Sequence, residues 1–203
     1  MSDKSELLLK PKRFYKAAAA APAEGGFAVQ LDGRTPKSPA KKPLIAPTKA
    51  LGEMIAAEWE AQVEYIDSSA MPATRLAFTA IDRIAETRAE VAREITAYAA
   101  SDHLCYRAES PRALVERQER EWGAVLDWIK AEHGLAFTPV SGIIHTPQPP
   151  DTLASIEGLA LTLDDFALAG MAFAAGLFGS TALALAVRAE RLSGRSALDL
   201  SRL

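Results

Sequence analysis

The chain has 203 residues, of which 49% are hydrophobic and 24% charged, and this composition is that of a globular protein and excludes a disordered chain. The length is enough for one domain or two small ones with a buried core. The formal net charge of -3 hides an asymmetry, because the first fifty residues hold ten basic and four acidic residues. The remainder holds thirteen basic and twenty-two acidic residues, so two electrostatically different halves are expected.

Cysteine and histidine content bears on compartment and metal binding. A single cysteine excludes an internal disulfide, which favours the reducing cytoplasm. Three scattered histidines offer little for a zinc site, so no metal is predicted. The first residues carry no long apolar stretch behind a basic start, and no secretory signal is predicted.

The N-terminal part predicts a small β-rich domain, residues 13–65, after a flexible arm at residues 1–12. Strands are expected at residues 13–21 and 27–31, the second because apolar side chains alternate along it. Asp32-Gly33 predicts a tight hairpin turn, after which residues 34–37 would return antiparallel. A helix then closes the domain, because three apolar residues follow one another at intervals of four: Leu51, Ile55 and Trp59.

Residues 66–203 predict a larger, all-helical domain, which makes the fold class α+β. Helices are expected from Pro72 onward, over residues 111–133 with Gly134 as the stop, and over residues 151–162 as helix or turn. Residues 166–187 contain no charge and are long enough to span a bilayer. Their Ala- and Gly-rich composition favours two buried helices with a turn near Ser180, and no stable membrane insertion.

Three common motifs of nucleotide binding and serine-hydrolase catalysis are absent from the sequence. There is no glycine-rich phosphate loop, no dinucleotide-binding fingerprint and no serine nucleophile elbow. Asp102-His103 and Cys105 superficially resemble a nucleophile with its base. On a helix, however, His103 and Cys105 would point apart, and a buried, unreactive Cys105 is the simpler interpretation.

Three charged residues in the same stretch predict a structural network. Asp82, Asp102 and Arg107 lie among apolar residues, where ion pairing would determine how the helices cross. Trp128 is offset from the apolar stripe of its helix, which predicts an aromatic side chain available for an interface. Basic residues interleaved with Phe14 and Tyr15 are also compatible with binding of single-stranded nucleic acid, but a solvated strand face is the default interpretation.

Three longer motifs occur at residues 71–77 (MPATRLA), 79–82 (TAID) and 102–108 (DHLCYRA). Shorter ones accompany them: Arg13–Lys16, Gly26-Phe27, Leu31–Arg34, Glu58-Trp59, Gln62, Gln118, Trp122, Leu126–Trp128 and Gly179-Ser180. In order and spacing, over nearly the whole chain from Arg13, they resemble the family of F-type ATP synthase assembly chaperones that handle the α subunit of the catalytic head.

The resemblance implies a two-domain protein without catalysis or cofactor. Such a protein would bind the unassembled α subunit without ATP, prevent its aggregation and release it to the β subunit. It would be cytoplasmic in a bacterium, or in the mitochondrial matrix of a eukaryote, and we expect a monomer. The resemblance also implies an acidic, tryptophan-containing tail beyond Leu203, which this sequence does not include.

We expect the helical domain to supply the client-binding surface, with Arg107, Trp128 and Gln118 on it. Two other functions stay open at this point. One is a nucleic-acid-binding adaptor that uses the basic N-terminal domain. The other is a small enzyme that uses Asp82, Asp102 or His103, which requires that these side chains converge in a pocket.

Overall fold

The structure, a computed structural model, describes residues 10–203, which form two compact units, one ending at Glu86 and the other beginning at Thr87. Residues 1–9, most of the predicted arm, lie outside the described residues. The last residues of the predicted arm are hydrogen-bonded to residues 66–67. Lys10 Nζ lies 2.8 Å from the Asp67 carboxylate, and the Ile66 amide donates to the Pro11 carbonyl. The predicted domain boundary after residue 65 stays a prediction.

The first unit contains a three-stranded antiparallel sheet in the order β1-β2-β3, formed by β1 (Ala18–Ala23), β2 (Gly26–Leu31) and β3 (Ile45–Ala46). Val29 and Leu31 of β2 are buried, as their alternation predicts. Residues 13–17, expected to be strand, precede β1 and are not part of the sheet.

The turn at Asp32-Gly33 is confirmed. Both residues have positive φ, 49° and 81°, and the flanking Leu31 and Arg34 exchange two backbone hydrogen bonds. The return strand ends at once, because the prolines that follow lack the N–H group that a ladder needs. The third strand is therefore β3, further along the chain.

Helix α1 (Lys49–Glu60) covers this sheet, with the Thr48 hydroxyl accepting from the Leu51 amide at its N-terminus. Ile55 and Trp59 are buried on its inner face, which confirms the predicted spacing. Tyr15 packs edge-on to the Trp59 ring and donates to the Trp59 carbonyl at 2.6 Å.

Helix α2 (Pro72–Thr79) begins at the predicted proline and continues through a π-helical turn, Ala80–Ile84, into α3 (Ala85–Ala100). The Glu58 carboxylate of α1 accepts from the amides of Ala73 and Thr74 at 2.7 and 2.8 Å. An acidic group at this position stabilises the start of a helix, so these bonds hold α2 to α1.

The second unit is mostly helical, which confirms the α+β class with a small N-terminal β region. After α3 come five further helices: α4 (Arg112–His133), α5 (Pro150–Thr162), α6 (Asp165–Phe178), α7 (Thr181–Arg188) and α8 (Gly194–Leu200). Gly134 ends α4 in the left-handed conformation, as predicted.

The uncharged segment forms two helices, α6 and α7, joined by Gly179-Ser180, as the sequence predicts. The Asp164 carboxylate caps α6, and the Ser180 hydroxyl caps α7 by accepting from the Leu183 amide. Over residues 10–203, no helix combines the length and apolar character that crossing a membrane requires.

Helix α8 and a short two-stranded sheet of the second unit were not predicted. Strands β4 (Tyr106–Arg107) and β5 (Val140–Ser141) pair in parallel, and the Gly142 amide extends the pairing by donating to the Arg107 carbonyl at 2.8 Å. Strands of two residues are too short to show a periodicity, which explains why the sequence pattern missed them.

Candidate functional site

Asp82 lies in the first unit, in the π-helical turn after α2. Its carboxylate accepts from the Ser38 hydroxyl and from the Ala40 amide. These hydrogen bonds, the Ser38 hydroxyl first, lower the pKa of Asp82. The side chain ties the loop at residues 38–42 to the helix, which is a structural role within this unit.

Asp102 lies in the second unit and is fully buried. Its carboxylate accepts from the amide of Leu104 at 3.1 Å and from that of Ala182, in the first turn of α7, at 2.9 Å. Burial raises the pKa of this carboxyl to about 6, although the surrounding donors act in the opposite direction. Asp102 thus connects the residues after α3 to the start of α7.

His103 and Cys105 follow Asp102 without forming a reactive pair. The His103 ring packs edge-on to the Trp122 ring, and Cys105 is buried. Burial, with the Asp102 charge, raises the pKa of the Cys105 thiol to about 12, which disfavours the thiolate that a nucleophile needs. This geometry does not favour the hypothesis of a small enzyme that uses Asp82, Asp102 or His103.

Arg107, in β4, is half-buried, and its guanidinium lies against the backbone of α4. A methyl group added at Gly123 would stand 3.6 Å from Nη2 of Arg107. The Nε atom is buried without a hydrogen-bond partner, and no ion pair forms between Arg107 and any residue from 10 to 203. Asp102 and Arg107 therefore form no ion pair with each other, and the predicted network of three charges stays a prediction.

The loop after β5, residues 142–145, lies beside Arg107 and is named the isoleucine loop. It is held at both ends, by the bond from Gly142 to the Arg107 carbonyl and by a 2.9 Å contact between the Tyr106 hydroxyl and His145 Nδ1. Between these attachments Ile143 is 93% exposed and Ile144 is 82% exposed. Two large apolar side chains thus project into solvent from a loop that is attached at both ends.

Gln118, on α4, is 4% exposed and has partners for both side-chain atoms. Its carbonyl oxygen accepts from the Ala108 amide at 2.8 Å, and its amide donates to the Leu203 carbonyl at 3.4 Å. One turn further on, the Trp122 indole donates to the Leu200 carbonyl at 3.0 Å. In this arrangement Gln118 holds the residues after α3 and after α8 against α4.

Trp128 lies on α4, half-buried, with its ring edge-on to that of His133 at 5.4 Å between centroids. The structure therefore leaves part of this ring accessible. The client-binding role of Arg107, Trp128 and Gln118 stays a prediction.

Sequence reasoning missed the isoleucine loop, since no element was predicted between the helix that stops at Gly134 and the one expected over residues 151–162. A signal was present, because two adjacent β-branched apolar residues occur there without helical or strand periodicity around them. Such a pair outside any periodic element has no predicted core to face.

The basic stretch at residues 12–16 lines a cleft of about 740 Å³ with residues 60–64. Arg13 donates to four backbone carbonyls, those of Tyr15, Lys16, Glu60 and Gln62, and its guanidinium stands over the Tyr15 ring. Arg13 is thus occupied in holding this segment to the end of α1. In the chain from residue 10 onward, no group of three or more His, Cys, Asp or Glu is placed to hold a metal ion.

Comparison with known proteins gives consistent matches. The family model described as ATP12 chaperone protein matches residues 12–130. The crystal structure of Atp12 from Paracoccus denitrificans is similar at 38% identity with a TM-score of 0.86, covering 95% of this chain and 82% of that one. The Atu1473 protein of Agrobacterium tumefaciens is similar at 41% identity and the same TM-score, covering 95% and 72%.

Proposed function

We propose, because this chain belongs to the family of ATP12 chaperone proteins, that it assists assembly of F-type ATP synthase by binding the unassembled α subunit. It keeps that subunit soluble and releases it to the β subunit as the catalytic head forms. The observation that carries the proposal is the family match over residues 12–130, which contains all three of the longer motifs.

The absence of a phosphate loop from the sequence supports action without nucleotide. A subunit that normally lies between neighbours exposes apolar surface before assembly, and that surface is prone to aggregate. A partner that binds only the folded subunit protects it by mass action, by RT ln(1 + [L]/Kd), and is displaced by a tighter partner. No energy source is needed for this cycle.

The second unit supplies the surface in this proposal. Arg107 and Trp128 are partly accessible, and the isoleucine loop adds exposed apolar area beside Arg107. Arginine and tryptophan are enriched among the residues that dominate binding energy at interfaces. The client in this proposal is the α subunit, and we expect a monomeric chaperone in the bacterial cytoplasm.

Co-expression tests the proposal. The α subunit of the same source is produced with and without this chain, and with the β subunit as a parallel client. We expect the chain to increase soluble α subunit, to co-purify with it and not with β, and to leave the complex when β is added. Equal solubility of the α subunit with and without the chain, and no complex, would remove the proposed function.

A further inference from the structure

Arg107 is a half-buried cation that forms no ion pair within residues 10–203. Its Nε atom is buried without an acceptor, and among the described residues no carboxylate pairs with its guanidinium. The nearby Glu109 side chain lies beside Gly142, with Oε1 3.5 Å from the position of an added methyl group there, and forms no ion pair with Arg107. A partly desolvated, unpaired guanidinium gains more from a carboxylate than a fully hydrated one does.

The isoleucine loop provides the apolar part of the same surface. Isolated exposed apolar residues are ordinary on protein surfaces, but Ile143 and Ile144 are adjacent and their loop is attached at both ends. The attachments are to Tyr106 and Arg107 themselves, so the cation and the apolar pair share one small framework. A loop attached at both ends loses less conformational entropy on binding a partner than an unattached one does.

We propose that Arg107 and the isoleucine loop bind a segment of the client in which an Asp or Glu stands next to large apolar side chains. The carboxylate pairs with the guanidinium, and the apolar neighbours cover Ile143 and Ile144. This inference rests on the proposed function and names the chemistry of the client segment. Charge complementarity selects this occupant, because a purely apolar segment would leave Arg107 buried and unpaired.

The first experiment measures soluble α subunit recovered per molecule of chaperone in co-expressing cells. Arg107→Gln, and separately Ile143→Ser with Ile144→Ser, are expected to reduce recovery roughly ten- to hundredfold, the range for loss of a dominant interface contact. Arg112→Gln is the control for charge, and Phe173→Ser with Leu177→Ser is the control for exposed apolar pairs on α6. Circular dichroism checks that each variant is folded.

The second experiment identifies the carboxylate even if Arg107→Gln fails to fold. Arg107→Lys places a primary amine at this position, and a carbodiimide joins an amine to a carboxylate as an amide only where the two are in contact. We expect a cross-link from position 107 to an Asp or Glu of the α subunit that has apolar neighbours in sequence. A complex that forms without a cross-link at position 107 overturns the inference.

Further outcomes are equally decisive. Full recovery with Arg107→Gln or with the isoleucine variant overturns the inference and leaves the proposed function intact. A wild-type chain that dimerises, and becomes monomeric in the isoleucine variant, shows a self-association surface and also overturns it. If wild type recovers no α subunit, the proposed function and the inference fail together.

Discussion

Asp102 and Arg107 are five residues apart in one motif. Asp102 is fully buried, and Arg107 is half-buried. The Asp102 carboxylate accepts from backbone amides, whereas no ion pair of Arg107 forms within residues 10–203. A satisfied buried group contributes to the fold, but an unsatisfied one costs about 1–3 kcal/mol and requires another explanation. This contrast separates a structural residue from a candidate binding residue.

Asp102 should give the fold a pH dependence of unusual sign. Its pKa of about 6 in the folded protein lies above the ordinary 3.8, so the folded state holds more protons between these values. The stability of wild type relative to Asp102→Asn should therefore fall as pH rises from about 4 to about 6, and stay level above that. Urea unfolding at several pH values, with circular dichroism as the signal, measures this difference.

Asp82→Asn is the matched control, because the pKa of Asp82 is lowered by its bond from Ser38. A lowered pKa contributes stability above the ordinary value that is lost as pH falls, so this difference should change in the opposite direction. If the two stability differences, relative to Asp102→Asn and to Asp82→Asn, changed in the same direction with pH, the opposite pKa shifts assigned to Asp102 and Asp82 would be wrong.

Helices α6 and α7 show how a C-cap followed by an N-cap divides one apolar segment into two helices. These twenty-two residues without charge do not form one helix, because α6 ends at Phe178 and α7 begins at Thr181, with Gly179-Ser180 between them. The reason is local, because Gly179 has a left-handed φ of 62° and Ser180 supplies the hydroxyl that starts the next helix. A turn that is stabilised by caps is readable from sequence.

Ser180→Ala should destabilise the protein more than Ser193→Ala does. Both hydroxyls accept from an amide at 3.0 Å, that of Leu183 in α7 and that of Ser196 in α8. Ser180 is fully buried, so water cannot replace the lost bond, and we expect a cost of about 1–3 kcal/mol. Ser193 is exposed, and its loss should cost about 0.5–1 kcal/mol.

Chemical denaturation of the two variants and wild type measures these costs. Equal costs would mean that the buried position of the Ser180 cap has no energetic consequence.

The charge of the whole chain bears on the alternative function as a nucleic-acid adaptor. The excess of basic residues in the first fifty positions is largely offset within the first unit, because through Glu86 there are twelve basic and eleven acidic residues. Arg13, the central cation of the basic stretch, is bonded to backbone carbonyls. Neither observation favours a surface for phosphate groups.

We therefore expect weak or no binding of single-stranded oligonucleotides. Fluorescence anisotropy of a labelled oligonucleotide, measured between roughly 50 and 200 mM salt, tests this. A steep, salt-dependent affinity that is lost on replacing Lys12 and Lys16 by Gln would support the adaptor hypothesis. Replacing Lys41 by Gln, in the exposed loop of the same unit, is the control for nonspecific attraction.

The α+β class, the turn at Asp32-Gly33, the face of α1 and the division of the uncharged run were readable from sequence. Each depends on neighbours within a few residues, through periodicity, capping or the φ angles that a residue type allows. The motifs at residues 71–77, 79–82 and 102–108 likewise identified the family, because their order is a property of the chain itself.

Tertiary structure decided the pairing of β4 with β5, the partners of Asp102 and the exposure of Ile143 and Ile144. Strand partners that are more than thirty residues apart leave no local signal, and a carboxylate near Leu104 reveals nothing about an amide at Ala182. Burial of a charge and exposure of an apolar pair are both set by distant contacts. For this protein, sequence determined the family and most of the helices, and only the folded chain placed Arg107, which has no ion pair within residues 10–203, beside an apolar loop.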